Sequence, residues 1–218
     1  MIKMAIKIIR MSTALILMTG FLSACGVPGA TIMTKSDLAF DTSKIFKKKR
    51  VAINTAGMPD FRAKEPTSGM MSGGMAGQIA AGQAGNQIVA TNAVPNPSHQ
   101  VGAAIIAALG PRHGMRQAPS ALASDLILEV NTYDWTVATF SQDPNRYYIV
   151  LSAIARMIDP KTQEVLGQTT CKNVVSDSQA ASAPTYDEMM ANGAARLKAE
   201  MVAITRKCAD QIVAKSLV

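Results

Sequence analysis

A chain of 218 residues, 48% of them hydrophobic and 17% charged, is long enough to bury a core in one domain with extensions. Three of its 22 basic residues and none of its 15 acidic ones fall in positions 1–24, so the formal charge of +7 drops to +4 beyond them. That mild surplus permits contact with anionic head groups or acidic partners, but it falls well short of the clustered basic face of a nucleic-acid binder, so no nucleic acid is expected.

At the start, Lys3, Lys7 and Arg10 precede or flank an uncharged run, residues 11–22, of apolar and small side chains. A positive start followed by such a run is the order of a secretion signal. The run is shorter than the roughly 20 apolar residues of a spanning helix, and a cleavage pattern follows it rather than a stop-transfer signal. Leu22-Ser23-Ala24-Cys25 resembles the lipobox of bacterial lipoproteins, a Leu three positions before an obligatory Cys with small residues between. The alternative is an ordinary secretory signal with an accidental first Cys. The resemblance implies that residues 1–24 are removed, that diacylglycerol is attached to the Cys25 sulfur, and that the new amine is acylated with a palmitate-like chain. Each buried methylene contributes about 0.8 kcal/mol and stable anchoring takes at least two chains, so triacylated Cys25 would hold the protein on the lipid bilayer permanently. Gly26 stands where, by the same resemblance, Asp would favour the inner membrane. The expectation is therefore an outer-membrane anchor facing the periplasm.

With Cys25 assigned to lipid, Cys171 and Cys208 remain, and an even remainder in an oxidising compartment favours one disulfide. Residues 25–49 mix Gly, Pro, Ser, Thr and Asp without a sustained period and read as a tether, whose extended reach is about 80 to 90 Å. Lys47-Lys48-Lys49-Arg50 closes it. The run reads either as a head-group contact or as a solvated strand entrance that discourages edge pairing. Val51-Ala52-Ile53-Asn54-Thr55 then alternates as a short strand should, opening a periplasmic domain over residues 50–218.

Residues 66–111 contain no Asp, Glu, Lys or Arg. Within the Gly/Ala/Met-rich insertion, residues 66–95, Gly73, Gly77, Ala81 and Gly85 recur every fourth position, which on a helix makes one row open to close approach by another backbone. The competing reading is a mobile loop, because Gly costs up to about 1 kcal/mol per residue in a helix. Asn96-Pro97-Ser98 then precedes Val101, Ala104, Ile105, Ala108 and Leu109, a helical stripe expected to stop at Gly110-Pro111.

Three strands are predicted next. In residues 125–137 the apolar parity changes from Leu126, Leu128 and Val130 to Tyr133, Trp135 and Val137, which predicts a bulge near Asn131-Thr132. Residues 147–158 suit a central strand. Asp159-Pro160-Lys161-Thr162 reads as a turn, and residues 164–175 return as an antiparallel partner carrying Cys171. A long helix follows, announced by the capping-box pair Thr185 and Glu188. Its buried stripe is predicted as Met190, Ala194, Leu197, Met201, Ile204, Cys208 and Ile212, the methionines serving as core filling. Cys208 on that stripe can meet Cys171.

The expected fold class is α/β: a two-layer sandwich, a mixed sheet of about four strands covered by two helices, with the Gly-rich uncharged insertion added. Val51-Ala52-Ile53, residues 123–128 and the hairpin over residues 158–166 are similar to the amino-terminal domain of the TolB protein and to envelope lipoproteins of that fold, including auxiliary lipoproteins of transport systems. The resemblance covers residues 50–216, and the insertion departs from it.

Chemistry is sparse. His99 and His113 lack a carboxylate or Cys at ligand spacing, so neither points to a metal. Phosphate-loop, zinc-protease and nucleophile-elbow motifs are missing, so no cofactor and no catalytic residue are expected and the chain does not read as an enzyme. Trp135, Tyr133, Tyr147 and Tyr148 read either as a groove lining or as sheet packing. The leading expectation is a non-catalytic accessory or structural component of an envelope assembly for transport, secretion or outer-membrane maintenance, engaging membrane lipid through Cys25 and an envelope protein or a copy of itself. The other is a periplasmic ligand-binding or hydrolytic protein with a dispersed site; a deep polar pocket would favour it.

Overall fold

The computed structural model describes residues 47–63 and 74–216, with residues 74–81 described by their backbone alone. Along the chain run β1 (Arg50–Thr55), β2 (Arg62–Ala63), α1 (Gly74–Thr91), α2 (Pro97–His113), β3 (Arg116–Gln117), β4 (Leu126–Thr139), β5 (Tyr147–Ile158), β6 (Val165–Lys172) and α3 (Tyr186–Ser216). Short 3₁₀ turns lie at Ala121–Ala123 and Asp177–Ser182.

One mixed sheet of six strands has the order β3-β1-β4-β5-β6, with β2 pairing farther along β4. It holds two more strands than the sequence predicts. β2 and β3 are two-residue pieces, too short to carry an alternation that sequence reading could detect. β1 runs parallel to β3 and β4, whereas β4, β5 and β6 form the predicted antiparallel meander. Three helices, not two, belong to the described fold.

The second layer follows from parity. Leu128, Val130, Trp135 and Val137 of β4, with Ile149, Leu151 and Ala155 of β5, join Val101, Ile105 and Leu109 of α2 and Leu197, Met201 and Ile212 of α3 in a single core. On the opposite sheet face Arg156 pairs with Glu129 at 3.2 Å and donates to Gln168 at 2.8 Å. Side chains alternate across a strand, so one face feeds the core and the other carries this polar row.

The predicted bulge is present: the β4–β5 register shifts between Thr132 and Asp134. Tyr133 occupies the extra position and is exposed, while Trp135 and Val137 regain the core face. The two sides of the parity change thus enter one core. Trp135 packs against Phe61 in a tilted pair at 4.6 Å and donates its indole N–H to the Met201 sulfur at 3.2 Å, all three residues being buried. Such a contact satisfies the one polar atom of an otherwise apolar side chain.

Asn96 caps α2, accepting the Ser98 N–H at 2.9 Å. The helix does not stop at Gly110-Pro111. It runs to His113, because Pro111 falls in the last turn, where little of the hydrogen-bond ladder remains to be broken, and Gly114 ends it in the left-handed region. The C-terminal helix also differs from expectation. Asn192, Gly193 and Ala194 have φ of 54°, 64° and 56°, a left-handed turn that interrupts α3. Asn and Gly adopt this region readily, but for Ala it costs roughly 1–2 kcal/mol. The interruption shifts the helical phase, so Met189 is buried and Met190 only half-buried, whereas Ala194, Leu197, Met201, Ile204, Cys208 and Ile212 are buried as predicted.

The sheet's outer strand is guarded. Gln211 of α3 accepts the Lys172 N–H at 3.2 Å and donates to the Lys172 carbonyl at 3.3 Å, and Lys215 donates to the Thr170 carbonyl at 2.9 Å. Helix side chains thereby occupy backbone groups that an exposed edge would offer to another strand. No helix among the described residues is long and apolar enough to cross a membrane.

Candidate functional site

The acylation site expected at Cys25, the signal segment 1–24 and the tether up to residue 46 lie outside the described residues. Of the basic run, Arg50 is placed firmly: its backbone N–H donates to the Asp125 carboxylate at 2.8 Å and its guanidinium lies 3.7 Å from it. That backbone hydrogen bond, aided by the positive charges of Arg50 and Lys49, holds the Asp125 carboxyl below its ordinary range.

Cys171 and Cys208 are joined in a disulfide with a Cα separation of 5.2 Å, linking β6 to α3. Both are buried. The placement of Cys171 on a strand and of Cys208 on the helix stripe was legible in the residue pattern; that Cys171 faces the core is seen only in the fold.

The uncharged segment is helical over Gly74–Thr91. Gly73 lies outside the described residues, and for Gly77 and Ala81 only the backbone is placed. Gly85 is buried against β2, where an added Cβ would overlap the Phe61 carbonyl and come within 3.0 Å of the Ala63 nitrogen. The helix is also pinned by Asn86, which accepts the Phe61 N–H at 3.0 Å and donates to Asp60 at 2.9 Å. At Gly85, then, the row makes its close approach within its own chain.

Among the aromatic candidates, Trp135 and Tyr147 are buried in the core, Tyr148 is half-buried and Tyr133 is exposed. They do not form one groove. His99 is exposed and His113 half-buried, and no group of three or more His, Cys, Asp or Glu suited to a metal occurs among the described residues.

An open cavity of about 280 Å³ lies where the start of β5, the exit of β6 and α3 converge, lined by Phe140, Tyr148, Asn173, Arg196, Glu200 and Lys207 among others. Sequence reading did not assemble it. The available signal was the spacing of Arg196, Glu200, Ile204 and Lys207, which sets them along one side of α3. Phe140, just past the end of β4, and Tyr148 of β5 face each other with rings 4.7 Å apart.

No known protein-family profile matches the chain, and no curated protein matches it. Among solved structures, the PelC dodecamer from Paraburkholderia phytofirmans aligns at 10% identity over 84% of this chain and 96% of its own, with a TM-score of 0.37. Protein XCC0632 from Xanthomonas campestris aligns at 10% identity over 75% and 84%, with a TM-score of 0.35. Lipoprotein GNA1162 from Neisseria meningitidis aligns at 15% identity over 61% and 93%, with a TM-score of 0.23.

Proposed function

We propose that this chain is an exported lipoprotein, anchored through acylated Cys25 and facing the periplasm, that acts as a non-catalytic accessory or structural component of an envelope assembly. The observation that carries the anchor is the order of features in the first 25 residues: cations, an uncharged apolar run, then Leu22-Ser23-Ala24-Cys25. The buried Cys171–Cys208 disulfide supports export, since such bonds persist in oxidising compartments and are rare in the cytosol. Gly26 directs the proposal to the outer membrane. The test is Cys25→Ser expressed in the native bacterium with labelled fatty acid. It should abolish label incorporation and leave an uncleaved or soluble species, whereas undiminished labelling overturns the reading.

The accessory role rests on a tether joined to a compact α/β domain, with Gly77 and Ala81 of α1 extending, two turns and one turn earlier, the row whose Gly85 is already committed to its own chain. Their purpose on this reading is contact with an envelope protein or a second copy. Replacing both by Leu should remove cross-links in intact cells while leaving anchoring and folding unchanged. Persisting cross-links would move the assembly contact elsewhere on the domain.

A further inference from the structure

We infer that the cavity beside α3 is a binding site for a small organic anion, a carboxylate carrying an aromatic or apolar body. Four features of its walls support this. Its volume of about 280 Å³ is just below the common range of small-molecule sites, which limits the occupant to a compact one. The half-buried Tyr148 ring, backed by buried Phe140, supplies an apolar surface for the body of the ligand. Facing it on α3 are two cations and one anion. Arg196 is held by Glu200 at 3.3 Å, whereas Lys207 makes no ion pair among the described residues, so the wall carries one uncommitted positive charge. A flexible ammonium at the mouth of a partly apolar cavity can pair with a carboxylate.

The fourth feature is backbone strain. Met189 and Arg196 line the same cavity from opposite sides of the left-handed turn at Asn192, Gly193 and Ala194. That turn separates Met189 from the lining residues that follow it on the body of α3. Residues held in such a conformation cluster at ligand clamps, and buried Ala194 keeps it without the freedom of Gly. Two of the cavity's other polar groups are spent on structure: Asn173 donates to the Ile149 carbonyl at 3.0 Å, and Gln179 caps its own 3₁₀ turn. The buried Tyr147 hydroxyl, which also lines it, has no hydrogen-bond partner among the described residues and is a neutral donor open to the ligand. Lys207, the lining cation without an ion pair among the described residues, is the group that confers preference for an anion over a neutral analogue. The assignment is independent of acylation at Cys25.

The test uses the full chain purified in detergent, with N-acetyl-phenylalanine and its neutral amide as probes followed by amide NMR and titration calorimetry. The acid should shift resonances of residues 140, 148, 173 and 207 saturably, and bind more tightly than the amide. Exposed Lys207→Gln should weaken the acid by about fivefold, the upper range for an exposed ion pair, and leave the amide unchanged. No saturable shift at these residues up to about 10 mM overturns the site. Equal binding of acid and amide, or an unaltered acid affinity in Lys207→Gln, overturns the anion assignment.

Discussion

Ser98, in the first turn of α2, donates its hydroxyl to the Thr132 hydroxyl at 2.9 Å and accepts the Thr132 backbone N–H at 3.1 Å. Thr132 adjoins the β4 bulge, where the ladder to β5 is interrupted, and both residues are buried. The helix thus supplies a polar partner at the point where the sheet is irregular. Ser98→Ala would leave the buried Thr132 N–H without its acceptor. The expected loss is about 1–3 kcal/mol in denaturant unfolding, and a neutral result would show that the bulge does not depend on α2.

The disulfide closes a loop with a sequence separation of 37 residues between β6 and α3. The chain-entropy model assigns such a loop about 4 kcal/mol. The double variant Cys171→Ala/Cys208→Ala should unfold at lower denaturant, and reduction of the native protein should reproduce the shift. Mass mapping without reductant should recover the linked peptides.

Gly85→Ala should destabilise the packing of α1 on β2, because the new methyl would overlap the Phe61 backbone carbonyl rather than a side chain that could turn away. Overpacking of this kind costs about 1–3 kcal/mol. Hydrogen exchange should report the loss first in residues 82–91. The neighbouring Gly82, which has open space at its Cβ position, should accept Ala with little change or a gain, since Ala favours helix.

The cap of α3 provides a pH test. The Glu188 carboxyl lies below its ordinary value of 4.5, first because it accepts the Thr185 backbone N–H and further because the Thr185 hydroxyl and the cations Arg146 and Arg196 face it. The Thr185 N–H bond is 2.8 Å long. A carboxyl depressed on folding adds stability above its unfolded pKa and loses it as pH falls through the folded one. Glu188→Gln should therefore lower the melting temperature at pH 7, and the gap to wild type should close as the pH drops below 4.5. A gap that does not change with pH would mean the carboxylate charge is not what the cap uses.

Features written in local chemistry were legible from the sequence. The Thr185/Glu188 cap and the parity change in β4 each need only a few neighbouring residues, and each formed. Whether residues 74–91 fold as a helix was open, because the Gly penalty is local while the offsetting contact of Gly85 with Phe61 is tertiary. The interruption at Asn192, Gly193 and Ala194 was missed because Ala194 sits in phase with the buried stripe. Only the Asn-Gly pair hinted at a turn. The cavity was illegible for a related reason: Phe140, Tyr148 and Lys207 come from three separate segments, and no period in the chain connects them.

The anchor is tested most directly by mass spectrometry of the mature amino-terminal peptide from native membranes. The expected species is a chain beginning at Cys25 that carries a thioether-linked diacylglycerol and an amide-linked acyl chain. A chain that retains residues 1–24, or one whose Cys25 is unmodified, would contradict it.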